Sequence, residues 1–578
     1  MNRTIYPSVL LTLTLAACGG GGGGGSDETV SISDSATATP SQTSATSTTD
    51  TSAKENSTES TSVASTAEIE ATVPSASTAT VQPVPTNIAN GATVSLQCGQ
   101  TYQGTLDLNG KSNVTVRTTG TCGKASITPG STVSGWTQYQ GNVYSAPIGF
   151  TPVQVSIAGK PVNAAHWPNG SQAWVDGGTA VPNGDLDGAT LVYLENQSVA
   201  QTQRISGSSV NTSKPFYVEG KLWMLDSPGE WAVSNGRLYL WAPDGQSPEG
   251  RTWAAPNSNG INADNSSGIT IDGVRIFSAA TGISAYMSTN LKTLNSEITN
   301  SSKDGIWAYG SNGLAVDKTA VTNSVSNGIN GFYGIRNAAI TNSSVTNSGT
   351  VGRYKPTDAG IMFGDGADNR IDNVRVVNSG YHGISVLHNW RTSVTNSVVD
   401  TTCVRLNDCG GIYTGARDQL PLNLRIEGNT VTNVKGSEGI AIYLDDSANG
   451  VTVSGNTVTN STIGMMLHNG FDNVVTGNTI ASSAIMHLYI AQKPGYTVRN
   501  NQVTGNTFRS TNNEQTFNLE SGSNLRTFAA INSNTYTSTN PGVFGRSWDG
   551  SSAGISHSYS GWKSWMGQDA NSTMNGAQ

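Results

Sequence analysis

Residues 321–329, VTNSVSNGI, contain the unit that decides the fold. A short β-branched run is followed by an Asn-Ser step, and Gly-Ile then opens a second short strand. The same pattern returns about every two dozen residues from Ser267 onward, without a helical period. Further Gly-Ile pairs stand at 282–283, 305–306, 360–361, 383–384 and 411–412. A repeat of this length and type predicts one coil of a parallel β-helix, in which stacked Ile and Val form the core and turn asparagines form hydrogen-bonded ladders.

The composition of the 578 residues agrees with a solenoid and excludes other classes. Only 12% are charged and 67 are glycine, so a coiled coil is excluded, and the acidic balance disfavours a nucleic-acid partner. Most of the net charge of -8 lies in Ser26–Pro85, a Ser/Thr/Ala-rich segment with eight acidic residues and one lysine. That segment has too few apolar side chains to fold and is predicted to be a disordered tether.

The resulting prediction is an all-β chain organised around the solenoid, with an inserted N-terminal β module, a C-terminal cap and a monomeric state. The expected divisions are a signal peptide (1–18), a linker (19–85), the first coils (86–123), the inserted module (124–258), the β-helix with its groove (259–521) and the cap (522–578). The tail carries Trp548, Trp562 and Trp565, which fit a cap or, alternatively, a sugar-stacking surface.

The N-terminus resembles a bacterial lipoprotein signal. Arg3 and the apolar run Val9–Leu15 precede Leu15-Ala16-Ala17-Cys18, which is similar to a lipobox. The run is too short for a permanent membrane helix. The resemblance implies a lipid on Cys18 and an outer-membrane lipoprotein exposed to the periplasm or the cell surface. An ordinary signal peptide that happens to end in cysteine is the alternative.

The other four cysteines fit an exported protein. Cys98 with Cys122 and Cys403 with Cys409 are the simplest disulfide pairs, because each pair is local in sequence. A zinc site is the competing interpretation, but the spacings do not fit zinc knuckles and no histidine is clustered with the cysteines.

Alignment of the coils predicts which side chains point away from the core. With each Ile directed inward, the next residue faces outward, and the residue two positions further on does so too. These positions are aromatic in the early coils, for example Trp307, Tyr286 and Tyr309. Such a row is expected to form either a platform for sugar rings or ordinary packing beneath loops.

Titratable residues concentrate on a few later coils. Because neighbouring coils lie about 4.8 Å apart, these residues are expected to form one site. The candidate residues are Asp358, His382, Asp408, Tyr413, Arg417, Tyr443, Asp445, Asp446 and His468.

The repeat resembles the right-handed parallel β-helix proteins of the pectin-lyase-like superfamily. Residues 408–413, DCGGIY, and 442–446, IYLDD, resemble a paired motif of β-helix glycoside hydrolases active on xylosides and fucosides. Residues 153–169 and 229–241 also look like those families, although an arginine is more usual where His166 stands. The resemblance implies that Asp408 and Asp445 are the catalytic carboxylates.

The chemistry of this pair is glycoside hydrolysis, which needs one proton-donating acid and one carboxylate that acts as base or nucleophile. We also assign His382 to catalysis. The expected partner is a polysaccharide, and hydrolysis requires no cofactor.

Two alternatives remain open. A polysaccharide lyase would use residues near this cluster on a uronic-acid polymer and could employ Ca²⁺ held by the aspartates. Its candidate residues are Arg353, Lys355, Tyr381, His382, Arg417 and His468. A non-catalytic glycan-binding surface solenoid is the other, and a localised group of Asp, His and Arg argues against it.

Overall fold

The computed structural model describes residues 81–170, 174–350, 358–511, 514–521, 524–538, 543–550 and 554–576. Cys18, the signal and most of the linker lie outside these ranges. Within them, no helix is long and apolar enough to cross a membrane.

Three long sheets run the length of the molecule, and each coil contributes one strand to each sheet. Apart from one antiparallel pair at the C-terminal end, neighbouring strands are parallel, as the repeat predicts. The sheet that carries the candidate residues, here called the site sheet, consists of Leu106–Asp107, Ile261–Asn262, Ile283–Ser284, Ile306–Trp307, Ile329–Gly331, Ile361–Ala367, Ile384–Trp390, Cys409–Thr414, Gly439–Leu444, Ile463–His468, Met486–Ala491, Gln515–Glu520, Gly545–Trp548 and Ile555–His557.

The other two sheets complete the coil. The second sheet consists of Val81–Pro83, Thr101–Gln103, Ala125–Thr128, Val274–Ala279, Glu297–Ser301, Ala320–Ser324, Ser344–Ser348, Arg375–Ser379, Val398–Thr402, Thr430–Val434, Thr457–Thr459, Thr479–Ala481, Thr507–Ser510, Thr535–Ser538 and Thr573–Gly576. The third sheet consists of Thr93–Gln97, Thr115–Thr119, Thr270–Asp272, Lys292–Leu294, Ala315–Asp317, Ala339–Thr341, Arg370–Asp372, Ser393–Thr395, Arg425–Glu427, Thr452–Ser454, Val474–Thr476, Asn501–Thr504 and Ala529–Asn532.

Glycine directly precedes the site-sheet strands from Ile261–Asn262 to Ile384–Trp390, because there is no room for a side chain. A Cβ at Gly328 would lie 2.2 Å from the Cγ1 atom of Val345 on the second sheet. The isoleucine that follows, Ile329, is fully buried in the core, as the repeat predicts.

Asparagine ladders stabilise the turns between the third and second sheets. Their side-chain amides are buried, and each donates from Nδ2 to the Oδ1 atom of the next coil at 2.9–3.2 Å. The predicted ladders are therefore present, with each amide satisfying polar groups that the turn would otherwise bury. The best-formed ladder runs through Asn429, Asn456, Asn478, Asn506 and Asn534.

A module inserted after the first coils forms two sheets with their own small cores, antiparallel except where Lys160–Ala164 pairs with Glu230–Ser234. Its eight-stranded sheet consists of Ser131–Thr132, Thr137–Gln140, Val143–Pro147, Gln154–Ile157, Lys160–Ala164, Glu230–Ser234, Arg237–Trp241 and Thr252–Ala255. Its four-stranded sheet consists of His166–Trp167, Thr190–Asn196, Val199–Arg204 and Phe216–Glu219, and a 3₁₀ turn covers Leu222–Met224.

The C-terminal end is a cap. All three sheets continue past Ser521, the expected boundary, and a 3₁₀ turn at Leu525–Thr527 precedes the last strands. The helix Tyr559–Met566 then covers the end of the core, capped by the Ser558 hydroxyl. Trp562 is fully buried and stacks on the ring of Phe517 at 5.1 Å, so it closes the core and cannot offer a sugar-binding surface.

Both expected disulfides are present. Cys98 bonds to Cys122 and Cys403 to Cys409, so the zinc interpretation does not apply to these residues. The second disulfide closes the short loop that carries Asp408.

Candidate functional site

The candidate residues come together on three neighbouring strands of the site sheet: Cys409–Thr414, Gly439–Leu444 and Ile463–His468. Tyr413 pairs with Tyr443, as the coil alignment predicts. The chemical groups of the site therefore sit on a rigid scaffold of stacked coils, which fixes their spacing.

Asp445 is held as a carboxylate. One oxygen accepts a hydrogen bond from Nδ1 of His468 at 2.7 Å, and the other accepts one from the Tyr413 hydroxyl at 3.0 Å. Burial raises the pKa of Asp445, but the His468 bond and charge and the Tyr413 bond together bring the pKa below its usual value. Asp445 is thus ionised at neutral pH.

Asp408 lies beside this carboxylate. The hydroxyl of Tyr443 donates to Asp408 Oδ1 at 3.3 Å, and the Tyr381 hydroxyl donates to the Asp408 backbone oxygen at 2.8 Å. The Asp408 backbone has a φ of 53°, a left-handed conformation that is uncommon outside glycine and asparagine. The disulfide loop and the Tyr381 contact hold this aspartate in place.

Glu438 is a site residue that is not among the candidates predicted from the sequence. Cys409 pairs with Gly439, so Asp408 and Glu438 directly precede paired residues on adjacent strands. Burial and, to a smaller extent, the charge of Asp408 raise the pKa of Glu438. Glu438 therefore keeps its proton to a higher pH than an ordinary glutamate. The signal for it was available, since coil alignment places Glu438 opposite Asp408.

His382 supports the cluster from the preceding coil. Its ring stacks on that of Tyr413, with 4.1 Å between the ring centres and 16° between the planes. The Gly410 amide donates to its Nδ1 atom at 2.9 Å, and burial lowers the pKa of His382 to about 3. The ring is therefore neutral, with its proton on Nε2, and it holds Tyr413 against Asp445.

Asp446 and His468 complete the cluster. His468 Nδ1 lies 3.5 Å from Asp446 Oδ1, to which the Asn469 amide donates at 2.6 Å. Donor atoms of Asp445, Asp446 and His468 lie within 4.8 Å of one another, close enough to hold a metal ion. A nitrogen donor fits Ca²⁺ poorly, because Ca²⁺ takes six to eight oxygen ligands.

Two other predicted residues do not join the cluster. Arg417 pairs with Asp365 at 3.3 Å in a neighbouring group, where Asp365 also contacts His388. Asp358 is fully buried, and one of its oxygens accepts from the Ser326 hydroxyl at 3.3 Å. Arg353 and Lys355 lie outside the described residues.

The outer face of the site sheet is less exposed than the sequence suggests. Met362, Ser385, Tyr443, Met466 and Tyr489 were expected to face solvent, and all are buried. These side chains do point away from the core. Neighbouring side chains and covering segments exclude water from this face, and near the site the inserted module is part of that cover. A strand pattern gives the direction of a side chain and not what lies above it.

The early coils keep an exposed aromatic row. Tyr286 stacks on Tyr309 at 5.4 Å between ring centres, and Tyr309 contacts Tyr333 at 5.3 Å. Tyr286 and Tyr333 are exposed at the surface. The rings pack on one another from coil to coil, which stabilises the solenoid, and their role as a sugar platform stays a prediction.

Comparisons with known proteins agree with this architecture. The model of right-handed β-helix regions matches residues 259–424, and that of the periplasmic copper-binding protein NosD matches residues 342–542. The fold is a right-handed parallel β-helix. No curated protein sequence matches the chain.

Several solved structures are similar to the chain. A glycoside hydrolase is 13% identical, with a TM-score of 0.52, over 72% of this chain and 90% of its own. XylC, solved with xylose, is 11% identical, with a TM-score of 0.46, over 80% and 82%. The A-module of the mannuronan C-5 epimerase AlgE6 of Azotobacter vinelandii is 12% identical, with a TM-score of 0.36, over 56% and 85%. At these identities the likeness concerns the fold.

Proposed function

We propose that the chain is a glycoside hydrolase that cleaves an extracellular polysaccharide. The observation that carries this proposal is the division of protonation states within one cluster. Asp445 has a lowered pKa, whereas Glu438, beside Asp408, has a raised pKa. Paired carboxyl groups whose surroundings push their pKa values apart are typical of glycosidase acid and base assignments.

The reaction follows from those states. The Asp408–Glu438 pair supplies the proton, with Glu438 as the member that retains it, and the glycosidic oxygen takes that proton as its bond to the anomeric carbon breaks. Asp445 acts on the other side, either by accepting a proton from the attacking water or by bonding to the anomeric carbon before water releases it. Both routes consume one water and regenerate the acid.

The tyrosines and histidines position these carboxyl groups. Tyr413 and His468 hold Asp445 by hydrogen bonds, and Tyr443 does the same for Asp408. His382 fixes the ring of Tyr413 by stacking. These residues are assigned to positioning, and the carboxyl groups to the proton transfers.

A lyase is the less favoured candidate. Elimination needs a cation to neutralise the uronic carboxylate beside the base. Among the described residues, Arg417 is engaged by Asp365 and His468 by Asp445, so the cations predicted for this role already have acidic partners. The predominance of acidic groups in the cluster favours hydrolysis.

We further propose that the enzyme acts outside the cytoplasm, attached through a lipid on Cys18 to the outer membrane. The two disulfides support an oxidising compartment. Labelling cells with a palmitate analogue tests the anchor, since the wild type should take up the label and Cys18→Ala should not.

The proposed reaction is tested on xylan, arabinoxylan, xyloglucan, pectin and alginate with the purified protein. New reducing ends and the ultraviolet absorbance of unsaturated sugars are measured together. We expect reducing ends without unsaturation on at least one polymer. Unsaturated products would show elimination and contradict the hydrolase proposal, and no product on any polymer would favour a binding protein.

A further inference from the structure

We infer that the inserted module makes the site a pocket closed on one side, which accepts the end of a glycan chain and releases single sugars. This inference rests on the proposed glycoside hydrolase. It concerns where on the polymer the enzyme cuts.

The first observation is the burial of the catalytic cluster. His382, Tyr443 and His468 are each at most 3% exposed. The Asp445 side chain is 14% exposed. The floor of the site beneath the carboxyl groups is therefore enclosed, and Glu438 at its edge is half-buried.

The second observation is that the module contacts the catalytic strands directly. The side-chain amide of Gln197 donates to Oε2 of Glu438 at 2.5 Å. The backbone oxygen of Gln197 accepts from the Asn407 amide at 2.9 Å, one residue before Asp408. The module thus forms a wall at the edge of the cluster where Asp408 and Glu438 lie.

A second group of contacts holds that wall in place. The guanidinium of Arg405, in the same disulfide loop as Asp408, lies 4.8 Å from the ring centre of Trp174 and 5.7 Å from that of Tyr217. Both aromatic residues belong to the module. A cation enclosed by aromatic faces and largely removed from water makes a stronger contact than a surface pair does.

The opposite edge of the cluster is open. There the Asp446 side chain is 29% exposed, and Tyr496, whose pKa the charge of Asp446 raises, is also at the surface. A sugar chain can therefore enter from the Asp446 side but cannot continue past Glu438. In the inferred pocket, a terminal sugar would lie between Asp445 and Glu438.

The test follows the products formed from a polymer that the wild-type protein degrades. Product sizes and viscosity are measured at equal numbers of new reducing ends, and 4-nitrophenyl glycosides of the released sugar are assayed in parallel. We expect a single monosaccharide from the earliest times, nearly constant viscosity, and turnover of the aryl glycoside. A series of oligosaccharides with a rapid fall in viscosity would overturn the inference but leave the hydrolase proposal standing. Absence of any cleavage would instead remove the hydrolase proposal, and this inference with it.

A pair of double variants tests the role of the module. Gln197→Ala with Arg405→Ala removes both module contacts, and we expect oligosaccharides to appear among the products. Gln203→Ala with Arg391→Ala is the matched control. Gln203 is exposed on the module, and Arg391 pairs with Asp368 at the surface. A pure monosaccharide product from the folded first variant would overturn the assignment of the wall to the module.

Discussion

The early and late coils of the site sheet share one interior and differ on the outside. Ile306 of an early coil and Ile412 of a late coil are both fully buried. Three residues after the core isoleucine, the early coils carry Tyr286 and Tyr309, whose rings stack on each other. A late coil carries Asp445 at the same position. Stacked isoleucines therefore specify the solenoid, and the outward positions are free to carry chemistry.

An acid in the early coils sharpens the contrast. Asp304 accepts hydrogen bonds from the side chains of Asn327 and Asn330, and burial raises its pKa. Asn327 and Asn330 are amides, whereas Asp445 lies in a cluster with further carboxyl groups and His468. On the site sheet, Asp304 is thus held by amides, whereas Asp445 lies among further carboxyl groups.

The largest expected effect is loss of catalysis on substitution of Asp445. Asp445→Asn removes the ionised carboxylate with little change of shape, and we expect kcat to fall about 10²–10⁴-fold. The matched control is Asp264→Asn in the early coils, where Asp264 accepts from the Ser284 hydroxyl at 2.6 Å. Reducing-end assays on both variants would contradict the account if Asp445→Asn stayed fully active or if Asp264→Asn lost comparable activity.

A smaller effect is expected for Tyr413→Phe. The Tyr413 hydroxyl bond lowers the pKa of Asp445, so its removal raises that pKa and moves the acidic limb of the pH–rate profile to higher pH. We expect kcat at neutral pH to fall about 10–100-fold, since a hydrogen bond to a charged group contributes about 1.5–3 kcal/mol. Tyr309→Phe in the early coils should leave the profile unchanged, and an identical shift in both variants would refute the assignment.

The pH dependence of stability should depend on His487, one coil beyond the cluster. His487 is fully buried, neither ring nitrogen has a hydrogen-bond partner among the described residues, and burial lowers its pKa to about 4. Between pH 4 and about 6.5, the unfolded chain therefore binds more protons than the folded chain. Neutral His487 contributes to stability at higher pH, and that contribution is lost as the pH falls through this range.

His487→Phe should weaken this dependence. The buried ring stacks on Phe508, so phenylalanine fits the surroundings without a titrating group. Thermal unfolding of wild type and variant is compared at pH 5 and pH 7. We expect the wild type to lose up to about 2 kcal/mol more stability than the variant on acidification. Equal losses would exclude His487 as the cause.

The smallest expected effect concerns Gln197. Its hydrogen bond lowers the pKa of Glu438, so Gln197→Ala should raise that pKa further. If Glu438 is the proton donor, activity then persists to higher pH, and the alkaline limb moves up by a few tenths of a pH unit, about what a weakened hydrogen bond gives. The control is Gln203→Ala, and a downward shift of the limb would contradict the assignment.

The fold could be predicted almost completely from the sequence, because each coil repeats the same steric requirement. Gly328 is needed where a Cβ would meet Val345, and Ile329 must fill the core. Such constraints are local or recur at a fixed interval. They leave a readable period in the sequence.

The site was predicted in part. The coil interval places Asp408, Tyr413, Tyr443 and Asp445 together, and the structure shows their hydrogen bonds. The contact of Gln197 with Glu438 could not be predicted, because the two residues are 241 positions apart and Gln197 lies in the inserted module, outside the repeat. A periodic pattern carries no information about what an inserted module covers.

Hydrolysis in H₂¹⁸O tests the central claim most directly. A polymer that the protein degrades is cleaved in labelled water, and the products are analysed at once by mass spectrometry. Product incubated alone for the same time corrects for exchange. The account predicts one ¹⁸O atom at each new reducing end, and formation of that product by Asp445→Asn at a rate at least about 100-fold lower. Unlabelled products that have lost the elements of water would contradict it.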